Sequence, residues 1–168
     1  MTAERVGPPP RAGERETLRA YLDFHRATLA AKCEGLGDED LRRRSMPPSA
    51  LTLLGLVRHM AEVERAWFRR TIGGEDVPLV WSPEGDFQTA YDASGATRGE
   101  AFAAWQAEIG HSRRVEASVE SLDTTVRAPR WGEDVSVRMI LLHVVTEYAR
   151  HNGHADFLRE GLDGTVGV

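Results

Sequence analysis

The sequence predicts an all-α protein, a four-helix bundle with one long crossover connection. Three observations lead to this fold class. Four segments carry apolar residues at helical spacing, capping residues stand in front of three of them, and no set of alternating strands competes with them. Amphipathic helices without strands bury their apolar faces against one another, which gives a helical bundle.

Composition favours one globular domain. The chain has 168 residues, of which 41% are hydrophobic and 28% are charged. A net charge of −5 without any basic run argues against a nucleic-acid partner. No apolar stretch reaches the roughly 18 residues that a membrane span needs, so we expect no membrane association. The single cysteine, Cys33, excludes an intrachain disulfide, and we expect a cytoplasmic protein.

The beginning of the chain differs from the rest. Residues 1–13 are expected to form a flexible N-terminal arm, because three consecutive prolines and two glycines cannot continue a helix there. The predicted bundle domain covers residues 14–168. Its first helix is predicted over residues 14–36, where apolar residues recur at helical spacing, and Gly35 and Gly37 end it.

The second helix and the connection after it follow a short turn. Ser49 or Thr52 is the predicted N-cap, and the helix runs to about Ile72. Residues 73–96 then contain glycines, prolines and scattered aromatic residues without a sustained period. Such long connections often cover a functional site or cross from one end of a bundle to the other.

The third helix is predicted to open at a capping box. Thr97 and Glu100 have the spacing in which a threonine side chain and a glutamate side chain cap the same helix end. After this helix, residues 121–134 are predicted to form a loop with a short extended piece at residues 124–126.

The last helix is predicted from Val137 to about Glu160. Ser136 is its N-cap, and Gly161 and Gly164 end it. This helix is apolar on nearly every side, apart from one narrow stripe of polar residues. The stripe is therefore expected to face the interior of the bundle.

Four side chains of metal-ligand type form that stripe: His143, Glu147, His151 and His154. Residues four apart on a helix lie about 40° from each other around its axis. Inward-facing carboxylates and imidazoles need partners, because an unpaired buried charge is expensive. A divalent metal satisfies a carboxylate and imidazoles together, and Zn²⁺ takes these ligands.

Two ligands from one helix need a third from elsewhere, and His59 at the apolar edge of the second helix is the best candidate. Each part also has a simpler explanation. His59 alone fits a core imidazole that is hydrogen-bonded to a carbonyl group, and Glu147 with His151 fits an ion pair along one helix. Taken together, the three residues favour a metal site.

Two sequence strings carry a family resemblance, LVRHMAEVERAW at residues 56–67 and EYARHNGHAD at residues 147–156. They resemble the DinB/YfiT-like superfamily of metal-binding four-helix bundles, over about residues 14–161. In that superfamily, one histidine of the second helix and two residues of the last helix hold a divalent metal. Zinc or nickel is the usual metal.

The resemblance implies that His59, Glu147 and His151 are the metal ligands. Many members have a histidine where this chain has Glu147. That departure is similar to the metal-binding domain of mycothiol-dependent maleylpyruvate isomerase, whose metal is held by two histidines and a glutamate. Zinc is the expected metal, with nickel or iron as alternatives, since this ligand set also suits non-haem iron.

The implied function is a metal-dependent enzyme, a mycothiol-type S-transferase or isomerase that uses the metal to activate a low-molecular-weight thiol. Three protein ligands leave a fourth position for the thiol or a substrate. His154 is the predicted catalytic group, one turn from His151, where it would steady the thiol or carry a proton. Apart from it, only Glu62 and Glu64 stand out as possible bases. The alternative is a non-catalytic, stress-associated metal-binding bundle protein of unknown role.

Two further expectations concern assembly and the remaining polar residues. We expect a homodimer, because bundles of this resemblance associate side by side. Trp81 and Trp131 lie in loops, and this suggests a pocket rim or an interface. His143 is expected to have a structural role.

Overall fold

The computed structural model describes residues 5–167 and confirms the all-α bundle. Residues 5–13 form no helix or strand, and the first four residues of the predicted arm lie outside the described residues. A separate flexible arm therefore stays a prediction. The helices are α1 (Glu14–Lys32), α2 (Asp38–Arg42), α3 (Leu53–Glu64, continued as a π-helix over Arg65–Ile72), α4 (Arg98–Ser118) and α5 (Val137–Asp163).

The predicted capping residues start three of the four long helices. The hydroxyl of Thr52 accepts a hydrogen bond from the backbone N–H of Gly55, so Thr52 and not Ser49 is the N-cap of α3. Thr97 and Glu100 form the complete capping box of α4. Ser136 caps α5. These local hydrogen bonds satisfy backbone N–H groups that a helix leaves free at its start.

Helix ends differ from the prediction at two places. Helix α1 ends at Lys32, four residues before the predicted limit, and Gly35 then adopts a left-handed φ of 75°. Helix α5 passes through Gly161 and ends at Gly164, with a left-handed φ of 76°. Gly161 has a packing role instead, because a Cβ there would lie 2.8 Å from the carbonyl oxygen of Ser45.

The predicted loop between α4 and α5 contains a small β-hairpin. Strands β1 (Thr125–Ala128) and β2 (Glu133–Ser136) pair antiparallel, with Ala128 opposite Glu133. Strand β1 overlaps the extended piece predicted at residues 124–126, whereas β2 and the pairing of the two strands were not predicted, because four-residue strands with mostly exposed side chains have no clear apolar alternation. The hairpin turn lies next to the π-helical end of α3.

Packing pairs α3 with α4 and α1 with α5. A polar network is buried at the centre of the bundle. Arg26 of α1 binds both carboxylate oxygens of Glu64, at 2.8 Å each, and the hydroxyl of Tyr148 donates to Glu64 at 2.7 Å. The indole N–H of Trp105 donates to that same hydroxyl. One residue from each long helix thus joins the network, which fixes their relative positions.

The crossover between α3 and α4 lies against α3. It contains a short 3₁₀-helix, Phe87–Tyr91, which packs on α3. The buried carboxylate of Glu62 accepts hydrogen bonds from the backbone N–H groups of Val80 and Trp81, both at 2.7 Å. The crossover thereby covers the face of α3 that carries His59. In residues 5–167, no helix has the length and hydropathy to cross a membrane.

Candidate metal centre

The three predicted ligands come together inside the bundle. His59 comes from α3, and Glu147 and His151 lie one turn apart on α5. One donor atom from each side chain can be chosen so that all three lie within 4.8 Å of one another. The Oε2 atom of Glu147 is 3.4 Å from Nε2 of His151 and 3.6 Å from Nε2 of His59.

Burial and charge set the protonation of the cluster. His59 and His151 are only 7% and 5% exposed, while Glu147 is partly exposed. The imidazoles of His151 and His59 hold the pKa of Glu147 well below its usual range. Burial lowers the pKa of His59. A charged carboxylate beside a neutral imidazole is the combination that binds cations, because metal ligands must be deprotonated.

His59 has a further property that fits a metal. Neither of its ring nitrogens has a hydrogen-bond partner within residues 5–167, although both atoms are buried. A buried polar atom without a partner is costly, and most such atoms in proteins are satisfied. Two imidazole nitrogens and one carboxylate oxygen suit Zn²⁺, nickel and iron. The cluster can therefore hold a divalent metal ion.

A family model described as mycothiol-S-transferase matches residues 17–164. The chain belongs to the mycothiol-S-transferase family. This is a DinB-like family, so the match confirms the resemblance found in the sequence. No curated protein matches the chain. The matched range includes all three cluster residues of this mycothiol-S-transferase family member, His59, Glu147 and His151.

Tyr91 is a residue at the cluster that sequence reasoning missed. Its ring stacks on the imidazole of His59, and its hydroxyl is 3.5 Å from Nε2 of His151. Burial and the nearby Glu147 raise the pKa of Tyr91 to about 12, so it is a neutral phenol at physiological pH. In the sequence, only the i,i+4 spacing of Phe87 and Tyr91 could have indicated that a helical turn of this irregular segment faces the site. In this member of the mycothiol-S-transferase family, the crossover therefore contributes to the site.

His154 lies outside the three-residue cluster. Its Nδ1 atom is 3.3 Å from Nδ1 of His151, whereas His151 approaches Glu147 with Nε2. His154 thus contacts the opposite side of the His151 ring. His143 packs against the rings of Trp67 and Trp131, with centroid distances of 4.8 and 5.0 Å.

The two glutamates considered as possible bases have other partners. Glu62 holds the crossover through two backbone N–H groups, and Glu64 is bound by Arg26 and Tyr148. Both carboxylates are fully buried. Their hydrogen bonds give each a structural role in the mycothiol-S-transferase bundle, so neither is free to accept a proton from a substrate.

Proposed function

We propose that the protein is a metal-dependent S-transferase that joins a low-molecular-weight thiol of the mycothiol type to an electrophilic carbon. The observation that carries this proposal is the cluster of His59, Glu147 and His151, with three donor atoms within 4.8 Å. Membership of the mycothiol-S-transferase family supports the thiol as one substrate. Isomerisation of a substrate through a temporary C–S bond is the related alternative.

His59, Glu147 and His151 are the proposed ligands of a divalent metal, with zinc as the first choice and nickel or iron as alternatives. Within residues 5–167, neither buried ring nitrogen of His59 has a hydrogen-bond partner, and this supports the assignment. A bound divalent ion supplies a Lewis acid that keeps a thiol sulfur deprotonated near neutral pH. With three protein donors on the ion, a further ligand such as the thiol sulfur could bind to it.

The residues around the cluster have defined tasks in the proposed reaction. Tyr91 orients His59 by stacking on it, and its hydroxyl is a hydrogen-bond donor at the edge of the site. The thiol releases its proton to solvent, and the sulfur uses its electron pair to form a bond to carbon. A leaving group departs from the same carbon with the electrons of the broken bond.

We propose a positioning role for His154, the residue that the sequence predicts as the catalytic group. Its contact with Nδ1 of His151 favours action through His151, as a positioning residue that fixes the ring orientation. A merely structural role would not change the protonation of the thiol. His154→Ala is therefore expected to shift the pH profile of kcat/KM and to lower kcat about ten- to a hundredfold, while His154→Gln restores part of the loss.

Protein purified without a histidine tag provides the test. One equivalent of divalent metal is expected in the wild type, with loss of stoichiometric binding in His151→Ala, because two remaining ligands make a poor site. Conjugation of mycothiol to 1-chloro-2,4-dinitrobenzene should require metal and thiol together. His111→Ala is the matched control, since this histidine contacts Arg114 on α4, away from the cluster. Fully metal-loaded protein that conjugates no thiol would favour the non-catalytic metal-binding role.

We also propose a cytoplasmic homodimer. Both loop tryptophans have partners within the protein, since Trp131 packs on Trp67 and Trp81 lies under the guanidinium of Arg58, so the dimer proposal does not depend on them. Support comes instead from α5, where Leu142 and Phe157 are 51% and 62% exposed. Sedimentation that gives a concentration-independent species of 18.6 kDa would reject the dimer.

A further inference from the structure

A cavity of about 540 Å³ lies beside the cluster, between the π-helical end of α3, the crossover and the hairpin turn. It adjoins the cluster through Phe87, which lines the cavity and meets the His59 ring edge-on at a centroid distance of 6.4 Å. Trp67 also lines it and contacts His143, one turn before Glu147 on α5. The volume is that of a small-molecule site, and π-helical turns are frequent at functional sites.

Part of the cavity wall is apolar and aromatic. Trp67 and Phe87 contribute ring surfaces, and Leu79 and Pro129 add aliphatic surface. Such a wall favours a ligand with an aromatic or apolar body, because burial of that body removes apolar surface from water.

Two arginines, Arg70 and Arg130, provide the positive charge of the lining. Within residues 5–167, neither guanidinium has an ion-pair or hydrogen-bond partner, and Arg130 lies over the ring of Phe87 at 4.4 Å. Of the two lining carboxylates, Glu75 is bound by Arg69 at 2.6 Å, which leaves only Asp76 without a cation in the described part of the chain.

The local charge is opposite to that of the whole molecule. The chain carries a net charge of −5, so its overall field disfavours anions. Within residues 5–167, the lining has two guanidinium groups without an ion-pair partner and one carboxylate without a cation, so the cavity carries a local positive charge. Guanidinium groups bind carboxylates with two parallel charge-assisted hydrogen bonds, which are stronger than neutral ones.

We propose that this cavity holds the electrophilic substrate and selects electrophiles that carry a carboxylate on an aromatic or apolar body. The assignment as a substrate site rests on the proposed function, because the adjoining cluster is where the thiol sulfur would be held. Arg70 and Arg130 are the specificity-determining residues. The aromatic wall holds the body of the substrate beside His59.

Equilibrium binding by calorimetry tests the site without any reaction. Cinnamate and cinnamamide have the same aromatic body and differ in charge. The full-length protein should bind cinnamate at least about tenfold more tightly than cinnamamide. Arg70→Gln and Arg130→Gln should each weaken cinnamate binding about tenfold and leave cinnamamide binding unchanged. Arg127→Gln removes the same charge from the same hairpin, but outside the cavity lining, and should change neither affinity.

Binding to metal-free protein, prepared with a chelator and dialysed, separates the cavity from the cluster. Cinnamate should still bind, with the same sensitivity to Arg130→Gln. Loss of binding on metal removal, together with no effect of either arginine substitution, would place the carboxylate at the metal and overturn the proposal. Equal affinity for the two probes would overturn it as well, and so would an equal effect of Arg127→Gln.

Turnover separates this proposal from the proposed function. The thiol sulfur displaces chloride from 4-chloro-3-nitrobenzoate or from its neutral amide, forming a C–S bond as chloride leaves with the electrons of the C–Cl bond. The ratio of kcat/KM for acid over amide should fall about tenfold in Arg130→Gln. Transfer to the amide without any preference for the acid would overturn the proposal and leave the function standing. Cinnamate binding as expected, without transfer to either compound, would overturn the function and the role of the ligand as a substrate.

Discussion

The ring of Tyr91 lies flat against the imidazole of His59, with 4.5 Å between the ring centroids and 16° between the planes. Next to His59, Arg58 donates a hydrogen bond to the carbonyl oxygen of Ala90 at 3.0 Å. Two neighbouring residues of α3 thus contact two neighbouring residues of the crossover. The orientation of a proposed metal ligand therefore depends on a segment outside the four long helices.

Substitution of Tyr91 separates the effect of its ring from that of its hydroxyl. Tyr91→Phe keeps the stacked ring, so we expect metal affinity close to that of the wild type. Tyr91→Ala removes the surface that orients His59 and should lower affinity about tenfold, as the loss of groups supporting a ligand does. Titration of zinc against a competing chelator measures both. Equal affinities of Tyr91→Ala and wild type would show that the stack does not position His59.

The carboxylate of Glu62 is expected to hold the crossover in its ordered conformation. Glu62→Ala leaves the N–H groups of Val80 and Trp81 without their acceptor, and we expect a loss of about 1–3 kcal/mol of stability. Amide hydrogen exchange and proteolytic cleavage should then increase within residues 73–97 more than in the helices. Glu84→Ala is the matched control, because Glu84 is an exposed glutamate of the same segment. Uniform protection in Glu62→Ala would contradict the anchoring role.

Much of the fold could be predicted from local patterns. Thr52, Thr97 and Ser136 mark helix starts because each side chain bonds a backbone N–H only three residues away. Glu147 and His151 could be paired because residues four apart on a helix share a face. These relations depend on neighbouring residues alone, so the sequence contains them directly.

The remaining part of the site depends on contacts between distant segments. Tyr91 reaches His59 because Glu62 and Arg58 bond backbone groups of the crossover, and such contacts produce no periodicity. The position of His154 around α5 fits the ligand stripe, yet its ring contacts the far nitrogen of His151. Helical spacing predicts on which face of a helix a residue lies, but it does not predict which ring nitrogen of a neighbouring histidine the residue contacts.

Arg26 and Tyr148 of the buried polar network are expected to contribute unequally to the free energy of unfolding. Arg26→Met leaves the fully buried carboxylate of Glu64 without its cation, and we expect a loss of about 3–5 kcal/mol. Tyr148→Phe removes one hydrogen bond to Glu64 and leaves the indole N–H of Trp105 without an acceptor, at about 1–3 kcal/mol. Urea unfolding measures both losses, with Tyr21→Phe as an exposed control. A larger loss for Tyr148→Phe than for Arg26→Met would contradict this ranking.

Acid should weaken the contact between the starts of α1 and α5. Arg138 donates to Glu14 at 2.6 Å and also contacts Asp123. Its guanidinium holds the pKa of both carboxyl groups below their usual ranges. The unfolded chain therefore binds more protons than the folded chain as the pH falls below about 5. The stability that these ion pairs contribute is fully present above the pKa values of the two carboxyl groups in the unfolded chain, near 4. It is lost as the pH falls through the lower pKa values that the same groups have in the folded protein.

Arg138→Gln should accordingly be less stable than the wild type at neutral pH, with a difference that shrinks below about pH 4 as the carboxyl groups become protonated in both proteins. Salt should reduce the neutral-pH difference as well, since the groups are exposed to solvent. Urea unfolding at about pH 7, 5 and 3 measures this trend. Arg114→Gln serves as the control, because Arg114 contacts His111 and, within residues 5–167, forms no ion pair with a carboxylate. A difference between Arg138→Gln and wild type that stays constant down to about pH 3 would mean that packing of the Arg138 side chain, and not its charge, stabilises this contact.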